Sequence, residues 1–356
     1  MIIKKLTLTD FRNIRSAEIE PVPGINVIYG KNAQGKTNLL EAIWCFTGAK
    51  SFRGSKDTEL KNLDSEKAKI AIEFFDEGRD QDCIIEIDKK RKAVLNGVEY
   101  QNASSLAGKM NAVVFSPLDL NIIKDGPIFR RKFLDLSICQ LYPVYLNLLR
   151  KYTRALDQRN KILKDIKFNP SVEEFLTDFE NELADVGTQI IEYRTEFIKK
   201  LQKYLPEIYN GISDGKEEIT IVYETTSGEG KEKYIKALKK NRNSDIFMCS
   251  TSVGPHRDDL DIKINGLSSR TYSSQGQKRS AAIALKLAES EVMSETTGAS
   301  PIALLDDVMS ELDLSRQNYI LNHIKNWQVF ITCCDPNNIK GLENGKVFYV
   351  ENGKVK

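Results

Sequence analysis

Gly30-Lys31-Asn32-Ala33-Gln34-Gly35-Lys36-Thr37 fits the pattern G-x-x-x-x-G-K-T in full. Each part answers a need of phosphate chemistry. Glycines let successive backbone N–H groups turn inward as an anion nest at the start of a helix. The Lys36 ammonium reaches the outer phosphates, and the Thr37 hydroxyl is a ligand for Mg2+. Far down the chain, Ile302-Ala303-Leu304-Leu305 runs into Asp306-Asp307. A continuous apolar run of this kind marks a buried parallel strand, and a carboxylate at its end faces the metal beside such a loop. Asp306 is therefore expected on the Mg2+. Asp307, next along, is expected to orient or deprotonate an attacking water, so Lys36 and Asp307 are the candidate catalytic residues. No Asn-Lys-x-Asp occurs in the sequence, so ATP with Mg2+ is expected rather than a guanine nucleotide.

A third segment, Ser273-Ser274-Gln275-Gly276-Gln277-Lys278, precedes the Ala-rich run Arg279–Leu287. It resembles the signature of ATP-binding-cassette ATPases, whose Ser-Gly-Gly-Gln core is matched here by Ser274-Gln275-Gly276-Gln277. A Ser and a Gly at a helix start make a second phosphate site. One chain already carries its own loop, so the second site makes sense if it serves the γ-phosphate of another copy.

Elements of two kinds must position these groups. An apolar strand ends at Tyr29, and a helix carrying Leu39, Leu40, Ile43 and Phe46 follows the loop. Leu6 and Leu8 alternate with polar neighbours as a half-buried strand does. Asn96-Gly97, Asn265-Gly266 and Asn352-Gly353 each sit between strand-like runs and predict two-residue hairpins. In the middle the period changes. Phe175, Phe179, Leu183, Val186, Ile190, Tyr193, Phe197, Leu201 and Tyr204 form one helical stripe, and Leu134, Ile138, Leu141, Tyr145, Leu148, Tyr152 and Leu156 form a second. Pro143 is placed to kink or restart the second helix. Ser171, followed by Glu173 and Glu174, predicts the start of the first. The expected fold is α/β: a P-loop ATPase head of mixed sheet, built from residues 1–126 and 216–356, with a mainly helical lobe inserted at 127–215.

Composition sets outer limits. The chain has 356 residues, 41% hydrophobic and 29% charged, with two histidines, six cysteines and no CxxC. No 18-residue apolar run spans a membrane, and the opening Met1–Leu6 leads into strand-like sequence rather than a signal peptide, so a cytoplasmic protein is expected. A net charge of +2 confines nucleic-acid contact to local basic runs. The candidates are Lys89–Lys92, Arg130–Lys132, Lys199 and Lys200 with Lys203, and Lys236 with Lys239, Lys240 and Arg242, acting on phosphates.

Across nearly its whole length the chain resembles the RecF family, recombination-repair ATPases of bacteria related to SMC proteins. The resemblance rests on Thr9–Asn13, Pro117–Leu120, Gly126–Asp135, Gly254–Asp259 and Leu305–Asp313. It implies Arg12 and Asn13 near the adenine and α-phosphate, and a D-loop from Ser310 to Asp313 at a subunit interface. It further implies an ATP-controlled homodimeric clamp on duplex DNA or gap junctions. Such a clamp works in DNA repair and replication, and in the response to DNA damage (the SOS response), with a RecR-like mediator and a RecA-like recombinase. Some positions depart from the pattern. Leu118 stands where an acidic or amide residue is usual, no Q-loop glutamine is evident, Cys334 takes the place of the switch histidine, and Asp307 replaces a glutamate. These departures point to slow hydrolysis. His256 is a tempting substitute catalyst, but a structural or interfacial role is expected of it. The alternatives are a transporter's ATP-binding subunit, which the helical insertion disfavours, and a clamp that scarcely hydrolyses ATP.

Overall fold

The computed structural model describes residues 1–335 and 345–356. The chain divides into two compact units, one of residues 1–120, 207–216 and 280–356, the other of 121–206 and 217–279. These boundaries differ from those expected: residues 217–279, signature included, pack with the helical lobe rather than with the head.

The first unit is the head. One of its sheets is antiparallel, in the order Ile14–Ile19, Ile2–Phe11, Ala68–Asp76, Arg79–Ile87, Arg91–Leu95, Val98–Tyr100. The other runs Lys354–Val355, Lys346–Glu351, Ile25–Tyr29, Val329–Cys333, Ile302–Asp306, Ala112–Phe115. Its last five strands are parallel, and only the terminal hairpin is antiparallel. Val27, Ile28, Ala303, Leu304, Leu305, Phe330 and Ile331 have no exposed surface, which is why these strands read as unbroken apolar runs. Strand Ile25–Tyr29 lies between Val329–Cys333 and Lys346–Glu351. The phosphate loop thus leaves the middle of a sheet whose neighbouring strands come from the far end of the sequence.

The three Asn-Gly pairs turn as expected. Both residues of each pair have φ between 50° and 79°, and the flanking strands pair at Leu95–Val98, Ile264–Leu267 and Glu351–Lys354, as two-residue hairpins require.

The second unit contains helices Pro127–Leu141, Pro143–Asp165 and Lys231–Met248 and most of the long helix Leu176–Ile212. A three-stranded antiparallel sheet, Leu267–Ser268, Asp259–Ile264, Ile219–Glu224, completes it. Both stripes are buried along most of their length: Leu134, Ile138, Tyr145, Leu183, Ile190 and Leu201 have no exposed surface. Pro143 restarts the helix, occupying a first-turn position where its missing N–H costs nothing. The helix expected from Ser171 begins later. Asn169 accepts a hydrogen bond from Ser171 N and caps a 3-10 turn, Pro170–Phe175, before the α-helix opens at Leu176. Phe175 is left exposed.

The basic runs divide by residue type. Arg130 forks onto both oxygens of Asp259 at 2.6 and 2.8 Å, and Arg131 donates to Asp258 O. Arg242 holds Glu180, while buried Arg91 lies 2.9 Å from Asp57. The planar guanidinium suits buried bidentate pairing. Lys89, Lys90, Lys92, Lys236, Lys239 and Lys240 stay exposed, so these six lysines face solvent where the paired arginines do not.

Candidate functional site

The site grows from the end of strand Ile25–Tyr29. Gly30 has φ 155°, and a Cβ there would stand 2.2 Å from Val350 O. Ala33 at φ 63° and Gly35 at φ 115° bend the loop back before helix Lys36–Cys45 begins. A Cβ on Gly35 would meet Asn13 Oδ1 at 2.7 Å. Both glycines are therefore needed for conformation and for space.

Lys36 is buried, and its ammonium lies inside the loop. Nζ donates to Gly30 O at 2.7 Å and sits 3.5 Å from Lys31 O and Asn32 Oδ1. It is also 3.4 Å from Cys334 Sγ, which is itself 3.1 Å from Asn32 Oδ1. The position read as the missing histidine thus faces the loop lysine directly.

Thr37 Oγ1 donates to Asp306 Oδ1 at 2.7 Å. The same carboxylate oxygen accepts from Thr332 Oγ1 at 3.0 Å. Burial pushes the Asp306 carboxyl above its usual range, opposed by these two hydroxyls. A hydroxyl and a buried carboxylate converging at a parallel-sheet edge form a hard-oxygen set that fits Mg2+, an ion that keeps several waters and takes one or two protein ligands. Among the described residues no group of three His, Cys, Asp or Glu side chains is placed to hold a metal ion.

Asp307 has φ 52°, a left-handed conformation disfavoured for a residue with a side chain. Its N–H donates to Thr332 Oγ1 at 2.9 Å, and its carbonyl accepts from Ser310 Oγ at 2.8 Å. Thr332 therefore bridges Asp306 and Asp307, and Ser310 ties the turn to the segment that follows. Asp313 caps helix Leu314–His323 by accepting from Arg316 N at 3.0 Å. That N–H bond holds the Asp313 carboxyl below its usual range.

Arg12 and Asn13 brace the loop. Arg12 donates to both oxygens of Glu41 at 2.9 Å, to Glu59 O at 2.8 Å and to Ser55 Oγ at 2.6 Å. Glu41, fully buried in the loop's own helix, also accepts from Ser51 Oγ. Asn13 Nδ2 donates to Gln34 O at 3.0 Å, and Asn13 Oδ1 accepts from Asn38 Nδ2 at 2.8 Å. Gln34 is pinned from the other side: Asn352 N donates to its Oε1 at 2.5 Å, and Gly353 N donates to its carbonyl at 3.1 Å. Arg53 went unnoticed in the sequence. Its Nη1 donates to Asn38 Oδ1 at 2.9 Å, and its charge pulls Asp306 downward. The run Ser51-Phe52-Arg53-Gly54 carries no periodicity to signal this.

In the second unit, Ser274 and Gln277 cap helix Gln275–Thr297 reciprocally. Gln277 N donates to Ser274 Oγ at 3.2 Å, and Ser274 N donates to Gln277 Oε1 at 2.7 Å. Ser273 precedes this box, and a Cβ on Gly276 would have only Ser274 Oγ near it, at 3.9 Å. His256 is tied down at both ring nitrogens. Its Nε2 faces Thr251 O at 3.0 Å, so it carries the proton, and Nδ1 at 2.7 Å accepts from Tyr152 OH. Burial lowers its basicity.

A family model described as the RecF/RecN/SMC N terminal domain matches residues 2–356. The DNA replication and repair protein RecF of Lachnoclostridium phytofermentans is 42% identical over 359 residues, covering 100% of this chain and 99% of that protein. Its namesake from Acetivibrio thermocellus is 38% identical, covering 98% of each. The chain belongs to the RecF family. A solved structure of the recombination mediator protein RecF-ATP in the RecFOR pathway superposes with a TM-score of 0.92 at 38% identity, covering 100% of this chain and 97% of that one. The Smc head domain of Pyrococcus furiosus, at 17% identity and a TM-score of 0.56, shares the fold. The fold is thus that of an ABC-type ATPase head with an inserted helical region.

Proposed function

We propose that this protein is an ATP-dependent DNA clamp of recombinational repair and replication-gap repair, acting in the cytoplasm as an ATP-driven homodimer. The observation that carries the reading is the bond from Thr37 to Asp306, since it joins the phosphate loop to a carboxylate able to share a metal with it.

ATP lies with its phosphates on the N–H groups of the loop, from Lys31 to Thr37. Lys36 turns its ammonium from Gly30 O to the β- and γ-phosphate oxygens. Thr37 and Asp306 would hold Mg2+, which would supply positive charge to the phosphates when bound. Asp307 orients the attacking water and takes its proton; with Cys334 where an imidazole would help, turnover is slow and binding is the main role. Ser274 and Gly276 of a second copy close on the γ-phosphate, with Ser310 and Asp313 at the same interface. Loss of that phosphate removes what joins the two copies, and the dimer opens.

DNA is held through phosphates by exposed lysines, on duplex and at gap junctions. The names of the relatives support work in DNA replication and repair and in the RecFOR pathway; a RecR-like mediator is the partner proposed there, and the loading of a RecA-like recombinase is the step proposed to be assisted.

Sedimentation of the wild type and Ser274→Arg with ATP and Mg2+ tests the dimer: the wild type should dimerise and the variant should not. A wild type that stays monomeric at micromolar concentration overturns the sandwich. Binding to duplex, single-stranded and gapped DNA, each with and without ATP, tests the DNA half. Affinity that ignores ATP or varies little with salt would contradict it.

A further inference from the structure

We propose that Glu217 is a positioning residue for the signature, holding the Gln277 amide in the one orientation that presents Ser274 to an incoming phosphate. This inference rests on the reading of the signature as a site for the nucleotide of a second copy.

Gln277 uses both ends of its amide. Oε1 accepts from Ser274 N at 2.7 Å, and Nε2 donates to Glu217 Oε1 at 2.8 Å. A glutamine amide can sit either way round, because its terminal torsion is broad and roughly two-fold. Turned over, it would place its NH2 against the N–H of Ser274, donor against donor. An ionised carboxylate only accepts, so Glu217 rewards the orientation that leaves Oε1 for Ser274 and penalises the other. The reciprocal bond then falls into place: Ser274 Oγ accepts from Gln277 N. A hydroxyl that accepts in this way still has its own proton to donate, and a phosphate oxygen is an acceptor. Gly276, with open space where a Cβ would stand, leaves room for that anion.

Glu217 is held firmly enough to act. The next residue, Glu218, donates its N–H to Asn265 Oδ1 at 2.8 Å and accepts from Asn265 N at 2.9 Å. Asn265 lies in the hairpin turn joining Asp259–Ile264 to Leu267–Ser268, shortly before the signature. The carboxylate is thereby anchored to the three-stranded sheet, and the signature's orientation is referred to that sheet.

The test compares full-length wild type, Glu217→Ala and Glu217→Gln by sedimentation with ATP and Mg2+. A fluorescent ATP analogue, titrated at protein concentrations below dimerisation, reports the loop alone. Losing one charge-assisted hydrogen bond should raise the dimer dissociation constant of Glu217→Ala about tenfold. Its monomeric nucleotide affinity and Tm should stay at wild-type values. Glu217→Gln can accept from Nε2 but can equally donate to an amide turned over, so it selects neither orientation and should restore dimerisation only in part. An alanine variant that dimerises like the wild type overturns the inference, as does a glutamine variant that dimerises like the wild type. A wild type that never dimerises overturns the trans signature and this inference together, so the two failures are distinguishable.

Discussion

Thr37 and Asp306, 269 positions apart in sequence, are joined by a hydrogen bond of 2.7 Å. The bond joins the first and last of the three chain segments that build the head. Replacing Asp306 with Asn keeps an acceptor for Thr37 but removes the charge. Asp306→Asn should abolish the gain in ATP affinity that Mg2+ brings, on the order of 10–100-fold. Nucleotide titrations with and without Mg2+ measure this, and an undiminished Mg2+ effect would move the metal elsewhere.

Asp307, next to the proposed metal ligand Asp306, sits in a left-handed turn with φ 52°. Asp307→Asn should bind ATP as the wild type does, lose turnover by roughly 100-fold or more, and lengthen the life of the dimer. Phosphate release and sedimentation read the two effects separately. Undiminished turnover would assign the catalytic carboxylate to another residue.

Gln34 ties the phosphate loop to the Asn352-Gly353 turn. Gln34→Ala removes one hydrogen bond of about 1 kcal/mol, so ATP affinity should fall several-fold. Gln34→Glu keeps the acceptor for Asn352 N and should restore most of it. Isothermal titration of ATP into both variants decides the point; equal losses would show that the acceptor is not what matters.

Asp119 makes the head sensitive to pH. Burial raises its carboxyl to about 6 from 3.8, against the pull of Lys286. The unfolded chain therefore gives up this proton first as pH rises. The stability contributed by the neutral carboxyl is complete below about pH 4 and is lost as pH climbs through about 6. For a partly exposed residue the change is about 1–2 kcal/mol. Asp119→Asn should flatten that part of the profile in urea unfolding at pH 4.5, 5.5 and 7.

Arg159 has no exposed surface and pairs with Asp245 at 2.8 Å and Glu180 at 3.1 Å. Asp245→Asn leaves part of that buried charge uncompensated and should cost about 3–5 kcal/mol. Chemical denaturation of the full chain measures it. A loss below about 1 kcal/mol would mean that Glu180 alone suffices.

How legible these features were follows from their range. The phosphate loop, the strand ending at Asp306 and the three Asn-Gly hairpins declare themselves because residues close in sequence fix each one. The helical stripes were also readable, since burial repeats with the turn of the helix. The grip on Gln34 and the tie of Glu217 to Gln277 were not. Both depend on backbone brought together from distant segments, where no spacing rule applies. The division of the basic runs was hidden for a related reason: a guanidinium looks alike in sequence whether solvent or Asp259 will face it. The late start of the long helix was hidden because Asn169 and Pro170 favour a tight turn first.

The sheet order has a consequence for biosynthesis. Ile25–Tyr29, which launches the phosphate loop, hydrogen-bonds to Val329–Cys333 and Lys346–Glu351. A ribosome releases the first strand long before either neighbour exists. The second unit, built from residues 121–206 and 217–279, can gather in the meantime. A nascent or truncated chain lacking the last strands would therefore carry the complete loop sequence without the frame that shapes it. Nucleotide competence should therefore require strands Val329–Cys333 and Lys346–Glu351 as well as the loop itself.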